Sequence, residues 1–136
     1  MTPGHTVHFY EQPCELLDSL QDFVVRGMER KECVVLVTLP ARWKALKRRM
    51  GPALDRSAIL MIDARRVLAR ILSRGAPVAR RFGELARELL AKTGDRPFRV
   101  FGEAVDLLAR DGNFEGAVRL EELWNELRRS RPFALF

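Results

Sequence analysis

Residues Arg99–Leu127, RVFGEAVDLLARDGNFEGAVRLEELWNEL, change periodicity twice within one stretch. The apolar pair Val100 and Phe101 ends in Gly102-Glu103, as a buried strand does where it gives way to a helix. Ala104 to Arg110 then sets Val105, Leu108 and Ala109 on one helical face, and Asp111-Gly112-Asn113 breaks it. Beyond the break, Phe114, Ala117, Val118, Leu120, Leu123, Trp124 and Leu127 recur at helical spacing. Asn113 suits an N-cap, and Glu115 places a carboxylate in the first turn, where the helix dipole favours it. Strand, polar junction, helix, turn and amphipathic helix follow one another, and the remaining chain must supply what these helices pack against.

Upstream, the same alternation repeats. Thr6–Tyr10 (TVHFY) reads as a first strand. Pro13 opens a helix striped by Leu16, Leu17, Leu20, Phe23, Val24 and Met28. Cys33–Leu39 (CVVLVTL) is a continuous apolar run, the pattern of a strand buried on both faces of a parallel sheet. Thr38 and Pro40 start a basic helix that ends near Met50-Gly51-Pro52. Ser57–Ile62 (SAILMI) reads as another buried strand, closed by Asp63 capping a helix over 64–74 that Gly75 and Pro77 stop. A helix over 78–92 presents Phe82, Leu85, Ala86, Leu89 and Leu90. Phe98–Phe101 is the fourth strand, and Pro132–Phe136 reads as a fifth. Strands alternating with helices predict right-handed crossovers and an α/β three-layer sandwich around a mainly parallel sheet of about five strands.

Composition bounds the rest. The chain's 136 residues fit one domain spanning 1–136, and 47% hydrophobic with 31% charged residues is the balance of a soluble globular protein. No apolar run nears the roughly 20 residues that span a bilayer. The start MTPGHTVHFYEQ lacks signal-peptide features, so the cytoplasm is the expected compartment and no membrane partner is expected. Cys14 and Cys33 fit neither a disulfide framework nor a zinc motif. The net charge of +6 is spread over helices and interleaved with Glu, which makes nucleic acid the least favoured partner class. The local basic cluster, Arg42 to Arg49, reads as a solvated helix face.

In an open parallel sheet, ligands sit beyond the carboxyl ends of the strands. Those ends supply Tyr10 and Glu11, Thr38, Asp63, Gly102 and Glu103, a phenol, a hydroxyl and carboxylates drawn from distant parts of the chain. Each has a structural alternative. Asp63 and Thr38 serve equally as helix caps, and Tyr10 as a core aromatic with its hydroxyl at the rim. Gly102 fits a turn or a close backbone approach. Glu103, directly after a buried strand, must be paired or wet; it binds a ligand, holds an Arg or caps the next helix. His5 and His8, three positions apart on a strand, point to opposite faces, so no shared metal site is expected. Cys14 near a helix start has no assignable His partner and reads as an inert thiol. No catalytic set and no cofactor site emerges.

Several segments together resemble a known family. The G-H-x-V-x-F-Y-E of Gly4, His5, Val7, Phe9, Tyr10 and Glu11, the G-E-x-V-D-L-L of Gly102 to Leu108, the R-L-E-E-L-W-N-E-L of Arg119 to Leu127 and the closing P-F-A-L are similar to the MEDS (methanogen/methylotroph, DcmR) sensory domain. The similarity covers essentially the whole chain. Its motif residues here are His5, Phe9, Tyr10, Glu103, Glu121, Trp124 and Asn125. Trp124 reads most simply as a core anchor, while Asn125 and Glu121, one turn apart, form one polar edge. The resemblance implies a sensor of small hydrocarbon derivatives, linked to a histidine kinase or a transcription regulator, with a fold related to RecA/KaiC-like (Rossmann-like) ATPases. A homodimer is compatible with such a role. Family members commonly continue past P-F-x-L, so this chain reads as a trimmed piece or a stand-alone domain.

The ATPase relatives carry a glycine-rich phosphate loop after the first strand. Here that junction is Tyr10-Glu11-Gln12-Pro13-Cys14-Glu15, without glycine or lysine, with Pro13 lacking an N–H and two carboxylates that would repel a triphosphate. ATP hydrolysis is not expected, and the chain is read as a binding module rather than an enzyme. The alternatives are a degenerate RecA-like protein-interaction domain without a ligand and, behind it, a nucleic-acid binder using Arg42 to Arg49.

Overall fold

The apolar run CVVLVT forms β1 (Cys33–Thr38), and every one of its residues is buried. Alternation explains how one strand serves two cores. Cys33, Val35 and Val37 enter one apolar cluster, while Val34 and Leu36 enter the other. In the computed structural model, which describes residues 13–94, 96–131 and 134–135, β1 is flanked on both sides by parallel partners. It pairs with β2 (Ile59–Asp63) and β5 (Phe98–Gly102), and β5 pairs in parallel with β6 (Ala134–Leu135). The sheet order is β2-β1-β5-β6.

Helices cover both faces. On one, α1 (Pro13–Glu29) and α2 (Pro40–Met50) pack Leu16, Leu20, Phe23, Val24, Leu46 and Met50 against Val34, Leu36 and Phe101. On the other lie α3 (Ala64–Ile71), α4 (Ala79–Thr93), α5 (Ala104–Arg110) and α6 (Phe114–Ser130), whose apolar sides close over Val35, Val37 and Val100. The α/β class with a parallel sheet is therefore present, with four strands in the sheet among the described residues. The strand expected at Thr6–Tyr10 lies outside them, as do Pro132, Phe133 and Phe136 of the last strand. No helix among the described residues is long and apolar enough to cross a membrane.

Three expectations need correction. First, the helix expected over 64–74 ends at Ile71, and a hairpin follows in which β3 (Leu72–Ser73) pairs antiparallel with β4 (Ala76–Pro77). Arg74 at φ 53° and Gly75 at φ 80° make the tight left-handed turn between them. Strands this short have no readable period, so the Gly and Pro of a hairpin looked like a helix stop. Second, the SAILMI segment is not a buried strand throughout. Arg56–Ala58 is a 3₁₀ turn in which the Asp55 carboxylate accepts from the Ser57 amide at 3.0 Å and hydroxyl at 2.6 Å. The strand starts only at Ile59 and is half-buried throughout, at the edge of the described sheet.

Third, the apolar faces of α5 and α6 are shifted from those expected. In α5 the buried residues are Ala104, Leu107 and Leu108, with Val105 and Ala109 at the margin. In α6, Phe114 and Val118 are 66% and 58% exposed, so their helical spacing serves no core here. The cap is as expected: Asn113 Oδ1 accepts from the Gly116 amide at 2.9 Å, and its Nδ2 donates to the Gly75 carbonyl at 2.6 Å, tying α6 to the hairpin turn.

One residue pair sets how closely α1 meets the sheet. A Cβ added at Gly27 would lie 2.5 Å from Val34 Cγ2 and 2.9 Å from Arg99 Cδ. Val34 is stiff at χ1 and Arg99 is held by its own bonds, so neither neighbour gives way easily. Overpacking of about 1–3 kcal/mol outweighs the gain in helix propensity of about 1 kcal/mol. Gly27→Ala is expected to lower stability by up to about 2 kcal/mol in urea denaturation, although alanine is normally the better helix former.

Candidate functional site

The chain leaves adjacent strands toward opposite faces of the sheet. After β1 it passes into α2 on one side; after β5 it enters α5 on the other. The carboxyl ends of two such strands are the usual ligand position in open α/β sheets. Thr38 ends β1 and Glu103 directly follows β5, so both stand at that position. The Glu103 amide donates to the Val37 carbonyl at 2.9 Å, extending the strand ladder and fixing where the side chain departs.

Glu103 is 4% exposed and Thr38 fully buried. The Thr38 hydroxyl donates to Glu103 Oε1 at 2.5 Å, and Arg42 Nε donates to the same oxygen in an ion pair. Arg42 reaches it from the first turn of α2, its side chain mostly buried. Charge-assisted bonds of this kind are stronger than neutral ones and hold a carboxylate in one orientation. Of the readings open for Glu103, holding an Arg is thus realised. Capping is not: Glu103 occupies the N-cap position of α5 without a side-chain cap bond.

The neighbouring residues divide. Asp63, paired in register with Thr38 at the end of β2, is the N-cap of α3, and its carboxylate accepts from the Arg65 amide at 2.9 Å. Asp63→Ala is expected to cost about 1 kcal/mol of stability, with Asp63→Asn close to wild type because asparagine caps equally well; thermal unfolding of both variants checks this. Thr38 is not a cap. Leu39 holds that position in α2 without a side-chain bond, and the Thr38 hydroxyl is used on Glu103. Gly102 is required neither by a left-handed turn nor by close approach: its φ is not among the positive values, and an added Cβ would meet nothing within 4 Å among the described residues. Tyr10, Glu11, His5 and Phe9 lie outside the described residues.

Arg42 is the member that the sequence reading missed. It was grouped with a solvated basic face, yet it turns inward, and Arg49 of the same cluster pairs with Asp18 on α1. Lys47 lies over the Trp43 ring at 5.3 Å, while Lys44 and Arg48 face solvent. A charged residue one turn into a helix, next to a strand end that carries an opposite charge, is the signal that would have found it.

The motif residues of α6 do not join this cluster. Trp124 is 4% exposed and meets Phe82 edge to face, centroids 5.1 Å apart. It belongs to the core, while Glu121 and Asn125 are half-buried. Beside Trp124 is an apolar cleft of about 10 Å³ bordered by Val35, Leu89, Phe98, Val100 and Leu127, which is room for about one water molecule.

The MEDS family profile (MEthanogen/methylotroph, DcmR Sensory domain) matches residues 4–136. The chain belongs to the MEDS family. No curated protein and no solved structure matches it. Within this MEDS domain, the G-E-x-V motif is the segment that carries the strand end and its buried carboxylate, whereas the L-W-N motif supplies the core contact of α6.

Proposed function

We propose that this MEDS domain is a signal-transduction sensor that takes a small molecule at the crevice between the carboxyl ends of β1 and β5. The observation that carries the reading is the Thr38–Glu103–Arg42 cluster at that crevice. It joins β1, α2 and the start of α5, so a ligand touching Glu103 acts on elements from both faces of the sheet. A ligand shifts a domain only between states that it binds with different affinity. Exchange of the Glu103 bonds supplies such a difference, and α5 and α6 carry it toward a linked or partner histidine kinase or transcription regulator, in a monomer or homodimer in the cytoplasm. We take the flanked parallel sheet as a RecA/KaiC-like core of five strands, with the glycine-free junction at Tyr10–Glu15 favouring binding over ATP hydrolysis.

The test is a thermal-shift panel of small polar and halogenated hydrocarbon derivatives on wild type and Glu103→Ala. A compound that raises the wild-type Tm and leaves the variant's unchanged supports the reading. A panel that moves neither protein counts against it. The exposed Phe114 and Val118 on α6 favour a second reading, a protein-interaction domain without a ligand, which predicts that Phe114→Ser abolishes partner binding while Glu103→Ala does not.

A further inference from the structure

Building on the crevice as a ligand site, we infer that it selects a small molecule through a hydrogen-bond donor, an O–H or N–H group that Glu103 accepts on Oε2, and that it rejects anions. Both donors that reach Glu103 from the described residues, Thr38 and Arg42, fall on Oε1. None falls on Oε2. Among the described residues no side-chain nitrogen or oxygen is both sealed from solvent and without a partner, and the proposed site requires Oε2 to be open to water. An otherwise buried carboxylate then offers one wet oxygen at the crevice.

Its surroundings fix what can replace that water. The only hydrogen of the Thr38 hydroxyl is spent on Oε1, and the Arg42 charge is committed to the same atom. Asp63 adds a second carboxylate at the end of the neighbouring strand, while Arg65 and Arg66 are exposed on α3. Among the described residues two carboxylates thus stand against one guanidinium. A group that displaces the water without donating a hydrogen bond leaves Oε2 unsatisfied and loses affinity, and an anion adds repulsion.

Three probes of equal carbon count, 1-propanol, propylammonium and propionate, separate the possibilities by amide NMR on the full chain. The expected result is saturable shifts at Thr38, Gly102 and Glu103 with propylammonium and 1-propanol, and at least tenfold weaker response to propionate. In Glu103→Gln, whose amide can keep its oxygen on Thr38 and Arg42 and turn its NH₂ outward, the propylammonium response should fall at least tenfold. The wild-type comparison among probes stands even if that variant does not fold. Propionate binding at these amides as strongly as the donors would overturn the donor inference and leave the crevice standing as a site. Silence of all three probes there would sink the inference and the crevice reading together.

Discussion

Arg99→Ala is expected to lower the stability of the domain by about 3–5 kcal/mol, the cost of leaving a buried charge without its partner. Arg99 sits in β5 between Phe98 and Val100 and is 4% exposed. Its Nη2 donates to Glu32 Oε1 at 3.0 Å and its Nη1 to the Phe23 carbonyl at 3.1 Å, with the guanidinium 4.8 Å from the centre of the Phe23 ring. Truncation strands the Glu32 carboxylate and opens a void against α1. A domain of this kind has only about 5–15 kcal/mol in total, so the variant should unfold at much lower urea concentration. The double variant Arg99→Met with Glu32→Leu should recover most of the loss, since apolar replacements of a buried pair are often neutral. Arg99 lies four residues before Glu103 along an extended strand, roughly 13 Å away. A folded Arg99→Met/Glu32→Leu protein should therefore answer the crevice probes as wild type does. A single-variant loss under 1 kcal/mol would show that the pair is not held in this geometry.

Trp124→Ala should cost a similar amount, about 3–5 kcal/mol, as large aromatic truncations in cores do. The indole meets Phe82 edge to face at 5.1 Å and borders the cleft of about 10 Å³ against Val35 and Val100. Removing it merges that cleft with the vacated volume into an apolar cavity large enough for a small aromatic guest. Benzene should then raise the Tm of Trp124→Ala and leave wild type unchanged. If instead Trp124→Ala is nearly as stable as wild type, α6 does not depend on this anchor.

The layers were legible because their signals are long. CVVLVT could only be a strand buried on both sides, and the Asn113 cap with Leu120, Leu123 and Trp124 placed α6 and its inner face. Local details failed where the signal is short or two-sided. The Leu72–Pro77 hairpin has too few residues for a period. Apolar composition does not tell a strand at the edge of the described sheet, such as β2, from a central one. Phe114 and Val118 continue the helical stripe yet stay exposed, because periodicity records where a face points and not what meets it. At the site, the sequence required Glu103 to be paired or wet, but the partner lies 61 residues away in chain on another helix. Pairing across that distance is decided by the strand order, which no local pattern encodes. Arg99 carried a signal that went unread: a lone charge inside FRVF, on the same strand, implies a buried partner.

A ligand held beside Glu103 is what the proposed sensor role requires. The direct measurement is a crystal structure of the protein purified from cells, with the space beyond Thr38, Asp63 and Glu103 inspected for a bound molecule. Density is expected within hydrogen-bond distance of Glu103 Oε2 and absent from crystals of Glu103→Ala. A crevice closed by the protein's own side chains, with Oε2 bonded to one of them, would contradict that role.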